Sequence, residues 1–91
     1  MTATKIGLQD RIRSAYNVCS DYTPRTWVGL ARLRTWLRDV PREEQDAALI
    51  MLSREPDVNI VPESNQKTLT VADREAALWM GNQWKHLISI G

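Results

Sequence analysis

The chain has 91 residues, 43% hydrophobic and 25% charged, with a net charge of +1. That length sets one domain (residues 1–91, with 1–4 expected to fray) and one core, with little room for a deep substrate cavity. The composition argues against disorder, and no run approaches the roughly 18–20 apolar residues of a membrane span. Met1 to Gly7 holds no apolar signal segment, so a cytoplasmic location is expected. Cys19 is the one cysteine; it excludes an internal disulfide and reads as a small buried hydrophobe.

The first periodic segment runs from about Lys5 to Ser20. Leu8, Ile12, Ala15, Tyr16 and Cys19 form one apolar stripe at helical spacing. Asp21 to Pro24 breaks it, because the residue before Pro24 is pushed toward extended backbone. Thr26-Trp27-Val28 reads as a brief strand. A second helix is expected from Leu30 to Arg38, with Leu30, Leu33 and Leu37 inward. Asp39-Val40-Pro41 stops and restarts the chain, and a third helix follows to about Ser53. Its inward set is Ala48, Leu49 and Leu52 with Gln45 at the edge, and Glu43 and Glu44 occupy the dipole-favoured first turn.

Val58 to Val61 alternates as a strand, and residues 62–66 are turn-like. Thr70 and Asp73 have capping-box spacing, which predicts a fourth helix from Val71 to about Met80 with Gly81 as its left-handed cap. Trp84 to Ile90 reads as a last strand, with Trp84, His86, Ile88 and Ile90 on one face. Four Trp and no Phe are unusual in so short a chain. Trp84 and Trp27 are expected against the core; Trp36 and Trp79 stay open between core and interface.

The order is helix, short strand, helix, tight turn, helix, strand, excursion, strand. On Leu30, Leu33 and Leu37, on Ala48, Leu49 and Leu52, and on the strands 58–61 and 84–90, residues 27–90 resemble the winged helix-turn-helix superfamily. The expected fold is therefore α+β, mostly α, with an added N-terminal helix and a short helix inside the wing. The resemblance puts the third helix in the recognition position, entering a DNA groove with the wing beside the backbone.

No constellation for catalysis is visible. His86 is the one histidine, no Cys/His zinc set can be assembled, and the glycines are isolated. No cofactor, metal or small-molecule substrate is expected, and no membrane partner. For DNA the candidates are Arg25, Arg32, Arg34, Arg38 and Arg42, whose planar forks suit phosphate, with Arg42 and Gln45 at the groove and Lys67 at the wing. That reading is a small regulator of transcription or an accessory factor of a mobile element.

The charge pattern supports a second reading. Seven Arg face only Asp21 and Asp39 between positions 11 and 42, while eight acids face three bases between 43 and 75. The acidic start of the third helix would repel phosphate. A non-catalytic protein-interaction module, using that helix or the N-terminal one and pairing with another protein or with itself, accounts for those charges.

Overall fold

The computed structural model describes residues 5–91; residues 1–4, expected to fray, lie outside the described residues. Helix α1 spans Lys5–Cys19, and its expected stripe of Leu8, Ile12, Ala15, Tyr16 and Cys19 is buried. The Tyr16 hydroxyl donates to the Thr26 carbonyl at 2.6 Å, so this large core side chain also satisfies its polar tip. The chain leaves α1 through a tight reversal in which Asp21, Tyr22 and Arg25 take positive φ of 54°, 59° and 61°. Strand β1 is Val28–Gly29, one or two residues later than expected.

Helix α2 covers only Leu30–Arg34 and tightens into a 3-10 turn, Thr35–Leu37, where a single helix to Arg38 was expected. Such tightening is common at helix ends. Here the Thr35 hydroxyl also donates to the Arg32 carbonyl at 2.6 Å. Helix α3, Arg42–Leu52, follows Pro41. Ala48, Leu49 and Leu52 are buried, as their spacing predicts, and Gln45, expected at the edge, is buried with them.

Strand β2 is Val58–Val61. After a second 3-10 turn, Gln66–Thr68, helix α4 covers Val71–Glu75. Both capping-box bonds are made: Asp73 N–H to Thr70 Oγ1 and Thr70 N–H to Asp73 Oδ2, each 3.0 Å. These bonds hold Asp73 below the usual carboxylate range.

The helix does not continue to Met80. Leu78–Met80 is strand β3, which pairs antiparallel with β4, Gln83–Lys85. Gly81 (φ 61°) and Asn82 (φ 65°) make the two-residue turn between them, so Gly81 is a hairpin residue and not a helix cap. Two consecutive positive φ values are what a type I′ hairpin demands. The last expected strand likewise divides into β4 and β5, Leu87–Ile90. His86 is the joint: its N–H donates to Val61 O and its carbonyl accepts from Leu30 N–H, both at 2.9 Å.

Strand order in the three-stranded sheet is β1-β5-β2, antiparallel throughout, with Val28, Ile88 and Ile60 in one row and Ile90 opposite Val58 in the next. These five residues are buried in one core with Ile12, Leu33, Leu37, Leu49 and Leu52 of the helical layer. The result is a small α+β domain with four α-helices among the described residues. No described helix is long and apolar enough to cross a membrane.

The core is aliphatic apart from Tyr16 and Cys19. All four Trp are between 50% and 53% exposed, which corrects the expectation that Trp27 and Trp84 pack against the core. Trp84 belongs to the β3–β4 ladder and not to β5, so its orientation is set independently of Ile88 and Ile90.

Candidate interaction surface

The basic residues singled out in the sequence divide into two groups. Arg34, Arg42 and Gln45 come together, Arg34 and Gln45 inside the domain and Arg42 at its edge. Arg34 is 8% exposed and Gln45 6%. Arg34 Nε donates to the Ala76 carbonyl at 2.8 Å and Nη1 to Gln45 Oε1 at 3.1 Å. Its Nη2 lies 2.8 Å from Asp46 Oδ1, an ion pair by distance, yet the N–H is not aligned and makes no hydrogen bond. Burial makes this guanidinium less basic than a free one, while Asp46 opposes that shift.

Gln45 Nε2 donates to the carbonyls of Leu37 and Val40 at 2.9 and 2.8 Å. Both carbonyls belong to the turn between α2 and α3; that of Leu37 also accepts from Val40 N–H at 2.9 Å, and the amide supplies the donor for that of Val40. Arg42, half-exposed, donates to the Ala77 carbonyl at 2.9 Å and to Asp46 at 3.2 Å. The three residues therefore lock α2, α3 and the Ala76–Ala77 segment to one another. Arg34 was expected on phosphate and Gln45 at the groove. They face the core instead, where they satisfy backbone carbonyls that burial removes from water.

The other candidates are exposed and separated. Arg25 stands beside Ile90, to whose carbonyl its N–H donates at 2.9 Å. That is the opposite end of β5 from His86, where the excursion carrying Lys67 joins the sheet. Lys67 lies in the 3-10 turn, capped by Asn65, and not at a hairpin tip. Arg32 is on α2 and Arg38 follows the 3-10 turn. Among the described residues the side chains of Arg25, Arg32, Arg38 and Lys67 have no ion-pair partner.

Two ion pairs carry no signal in the sequence, since their partners are far apart in the chain. Arg11 of α1 pairs with Asp39 and donates to the Trp36 carbonyl at 3.1 Å, holding α1 to the turn between α2 and α3. Arg13 pairs with Asp57 at 2.8 Å, holding α1 to the approach to β2. In each case the bonded guanidinium depresses the carboxyl below its ordinary range.

The outward side of α3 carries Glu43, Ala47, Ile50 and Met51, with Arg54 in the turn that follows, and Ile50 also packs partly against the core. Glu43 and Glu44 are exposed, Met51 is 37% exposed and Ala47 and Ile50 are half-buried. A surface of acid followed by aliphatic side chains offers little to donate at base edges before Arg54 is reached.

On the excursion, Trp79 and Trp84 stand opposite each other across the β3–β4 ladder, with centroids 5.1 Å apart and rings at 66°. They form the second pair from the turn, and edge-to-face contact of this kind contributes about 0.5–1.5 kcal/mol. Leu78 is buried on the other face of the ribbon, so the indoles point away from the core. The spacing Trp-x-Gly-Asn-x-Trp is the signal for this pair, masked in the sequence by the helix-like run 71–80. Gln66, Leu69, Arg74, Trp84 and His86 line a cleft of about 340 Å³ beside it. The His86 ring is buried and its Nδ1 accepts from Glu63 N–H at 3.0 Å, which sets the tautomer with the proton on Nε2.

A third feature is a shallow groove along α1, lined by Arg11, Ser14, Ala15, Val18 and Trp36. Among the described residues no group of three or more His, Cys, Asp or Glu is gathered as metal ligands. Compared with protein-family models, with curated proteins and with solved structures, the chain matches none.

Proposed function

We propose that this is a non-catalytic winged-helix-type module that binds a protein partner through the outward side of α3. The winged-helix reading draws support from the element order and from the β1-β5-β2 sheet, in which the last strand lies between the first two. Helix α3 then occupies the recognition position, with the excursion Pro62–Lys85 in the place of the wing.

The observation that carries the partner class is the outward side of α3, exposed at Glu43, Glu44 and Met51 and half-buried at Ala47 and Ile50. Glu43 and Glu44 lead into Ala47, Ile50 and Met51, while two of the residues expected to contact DNA, Arg34 and Gln45, are occupied inside the fold. Acid at a helix start is unfavourable against phosphate and favourable against a basic protein surface, and the aliphatic stretch behind it suits a partner's apolar side chains. An isotope-edited NMR titration with a synthetic Lys/Leu amphipathic helix tests this. Amide shifts confined to positions 43–54, abolished by Glu43→Lys with Glu44→Lys, are expected. Shifts spread over the molecule, or unaltered by the charge reversal, would remove the reading.

One observation favours DNA as a second reading: Arg25, Arg32, Arg38 and Lys67 are exposed and unpaired among the described residues. Anisotropy of a labelled random-sequence duplex at about 50 and 200 mM salt separates the two readings, because phosphate-driven binding falls steeply with salt. Binding that falls in this way, with a shallower fall in Arg32→Ala with Arg38→Ala, would establish DNA as the ligand.

A further inference from the structure

The wing carries a surface complementary to the one on α3. Trp79 and Trp84 are half-exposed on the outer face of a two-stranded ribbon, and Trp84 shares its cleft with Arg74. Lys67 follows Gln66, another residue of that cleft. Neither Arg74 nor Lys67 has an ion-pair partner among the described residues. Of the carboxylates on the excursion, Glu63 and Asp73 accept backbone N–H groups, from Asn65 and Thr70, and Glu75 is exposed. Arg74, in the cleft of Trp84, and Lys67, next to Gln66 of that cleft, are thus available to an outside partner, whereas two of the three acids are committed to backbone.

Set against this, α3 presents exposed carboxylates at Glu43 and Glu44 and aliphatic and thioether side chains at Ile50 and Met51. Glu43 and Met51 are eight residues apart, about 12 Å along the helix. Within one chain these two sets of charges form no ion pair with each other among the described residues. Between two chains they match in sign and in apolar character, and a methionine sulfur against an indole is a favourable contact.

We propose that the α3 surface of one copy docks on the Trp79–Trp84 ribbon of a second copy, carboxylates of Glu43 and Glu44 toward Arg74 and Lys67, Ile50 and Met51 against the indoles. This rests on the reading of α3 as a protein-binding surface and names its partner. The contact is made either twice in a reciprocal two-fold dimer or once per neighbour in a head-to-tail ring or filament.

Sedimentation equilibrium of the full chain from about 10 µM to about 1 mM tests it, a range suited to contacts of modest area. The average mass is expected to rise from that of the monomer to that of a dimer or beyond as concentration increases. Glu43→Lys with Glu44→Lys, and separately Lys67→Glu with Arg74→Glu, should each remain monomeric. In the first variant both surfaces are basic, and in the second both are acidic, so each repels its own kind. Mixed, the basic α3 of the first faces the acidic ribbon of the second, and the unaltered α3 of the second faces the unaltered ribbon of the first. Both contacts match in sign, so association should return in the mixture. Restoration also shows that both variants are folded. A wild-type mass that stays monomeric throughout, variants that associate like the wild type, or folded variants whose mixture stays monomeric would overturn the proposal; circular dichroism of each variant establishes folding. A monomeric wild type that still binds the Lys/Leu peptide at 43–54 would overturn self-association while leaving the α3 reading in place.

Discussion

Replacing Arg34 by Ala puts the structural account of this residue at risk. The substitution removes two buried hydrogen bonds, to Ala76 O at 2.8 Å and to Gln45 Oε1 at 3.1 Å, and strands both acceptors. Bonds from a charged donor contribute about 1.5–3 kcal/mol each. Asp46 is about a third exposed, so its ion pair adds little after solvent screening. The expected loss is about 3–5 kcal/mol, the range for breaking a buried charged network. At about 4–8 °C per kcal/mol for a domain of this size, Tm should fall by at least about 12 °C. Urea unfolding followed by circular dichroism gives the free energy, and Arg38→Ala, on an exposed side chain, should stay within about 0.5 kcal/mol of wild type. A loss under about 1 kcal/mol for Arg34→Ala would mean that the guanidinium is solvated, and the exclusion of Arg34 from an outward binding surface would fall with it. The double-mutant cycle with Gln45→Ala should show coupling of about 0.5–3 kcal/mol, because the two share a bond.

Three further outcomes are expected. Thr70→Ala removes one bond of the capping box and should cost about 1 kcal/mol, read as faster amide exchange at positions 71–76; unchanged exchange would show that the cap does not hold α4. At Gly81 a Cβ would meet no atom within 4 Å, so Gly81→Val is penalised by its φ of +61° alone, and a destabilisation of about 1–2 kcal/mol in urea is expected; a neutral result would argue against the I′ turn. Asp39 and Asp57 are held by Arg11 and Arg13 below their unfolded value of about 3.9. A depressed carboxyl contributes stability that is complete above the unfolded value and disappears as pH falls through the folded one. The urea midpoint should therefore drop below about pH 4, and less steeply in Asp57→Asn; parallel acid limbs for the two proteins would refute the Arg13–Asp57 contribution.

Much of the architecture is legible in the sequence because it is local. The stripe of α1, the inward set of α3, the limits of Val58–Val61 and the Thr70–Asp73 box each depend on residues within a few positions, where helical or alternating periodicity and capping chemistry operate. The segment 71–80 is not legible in this way, because five helical residues and three strand residues adjoin in one helix-like run. Only pairing with Gln83–Lys85 across the Gly81-Asn82 turn separates them. Surface and interior are indistinguishable at Arg34 and the tryptophans for a related reason: their surroundings come from distant parts of the chain.

By itself the sequence determined one small α+β domain, its helical stripes, its central strand pattern and a chain polarised between a basic first half and an acidic stretch after it. The tertiary structure decided which charges are available to a partner. Arg34 is internal because folding brings it a buried carbonyl 42 residues away, and Trp84 is external because its side of the ribbon faces away from the core. Hydrogen bonds and burial of this kind join positions that no local period relates, so they become readable only when the chain is folded.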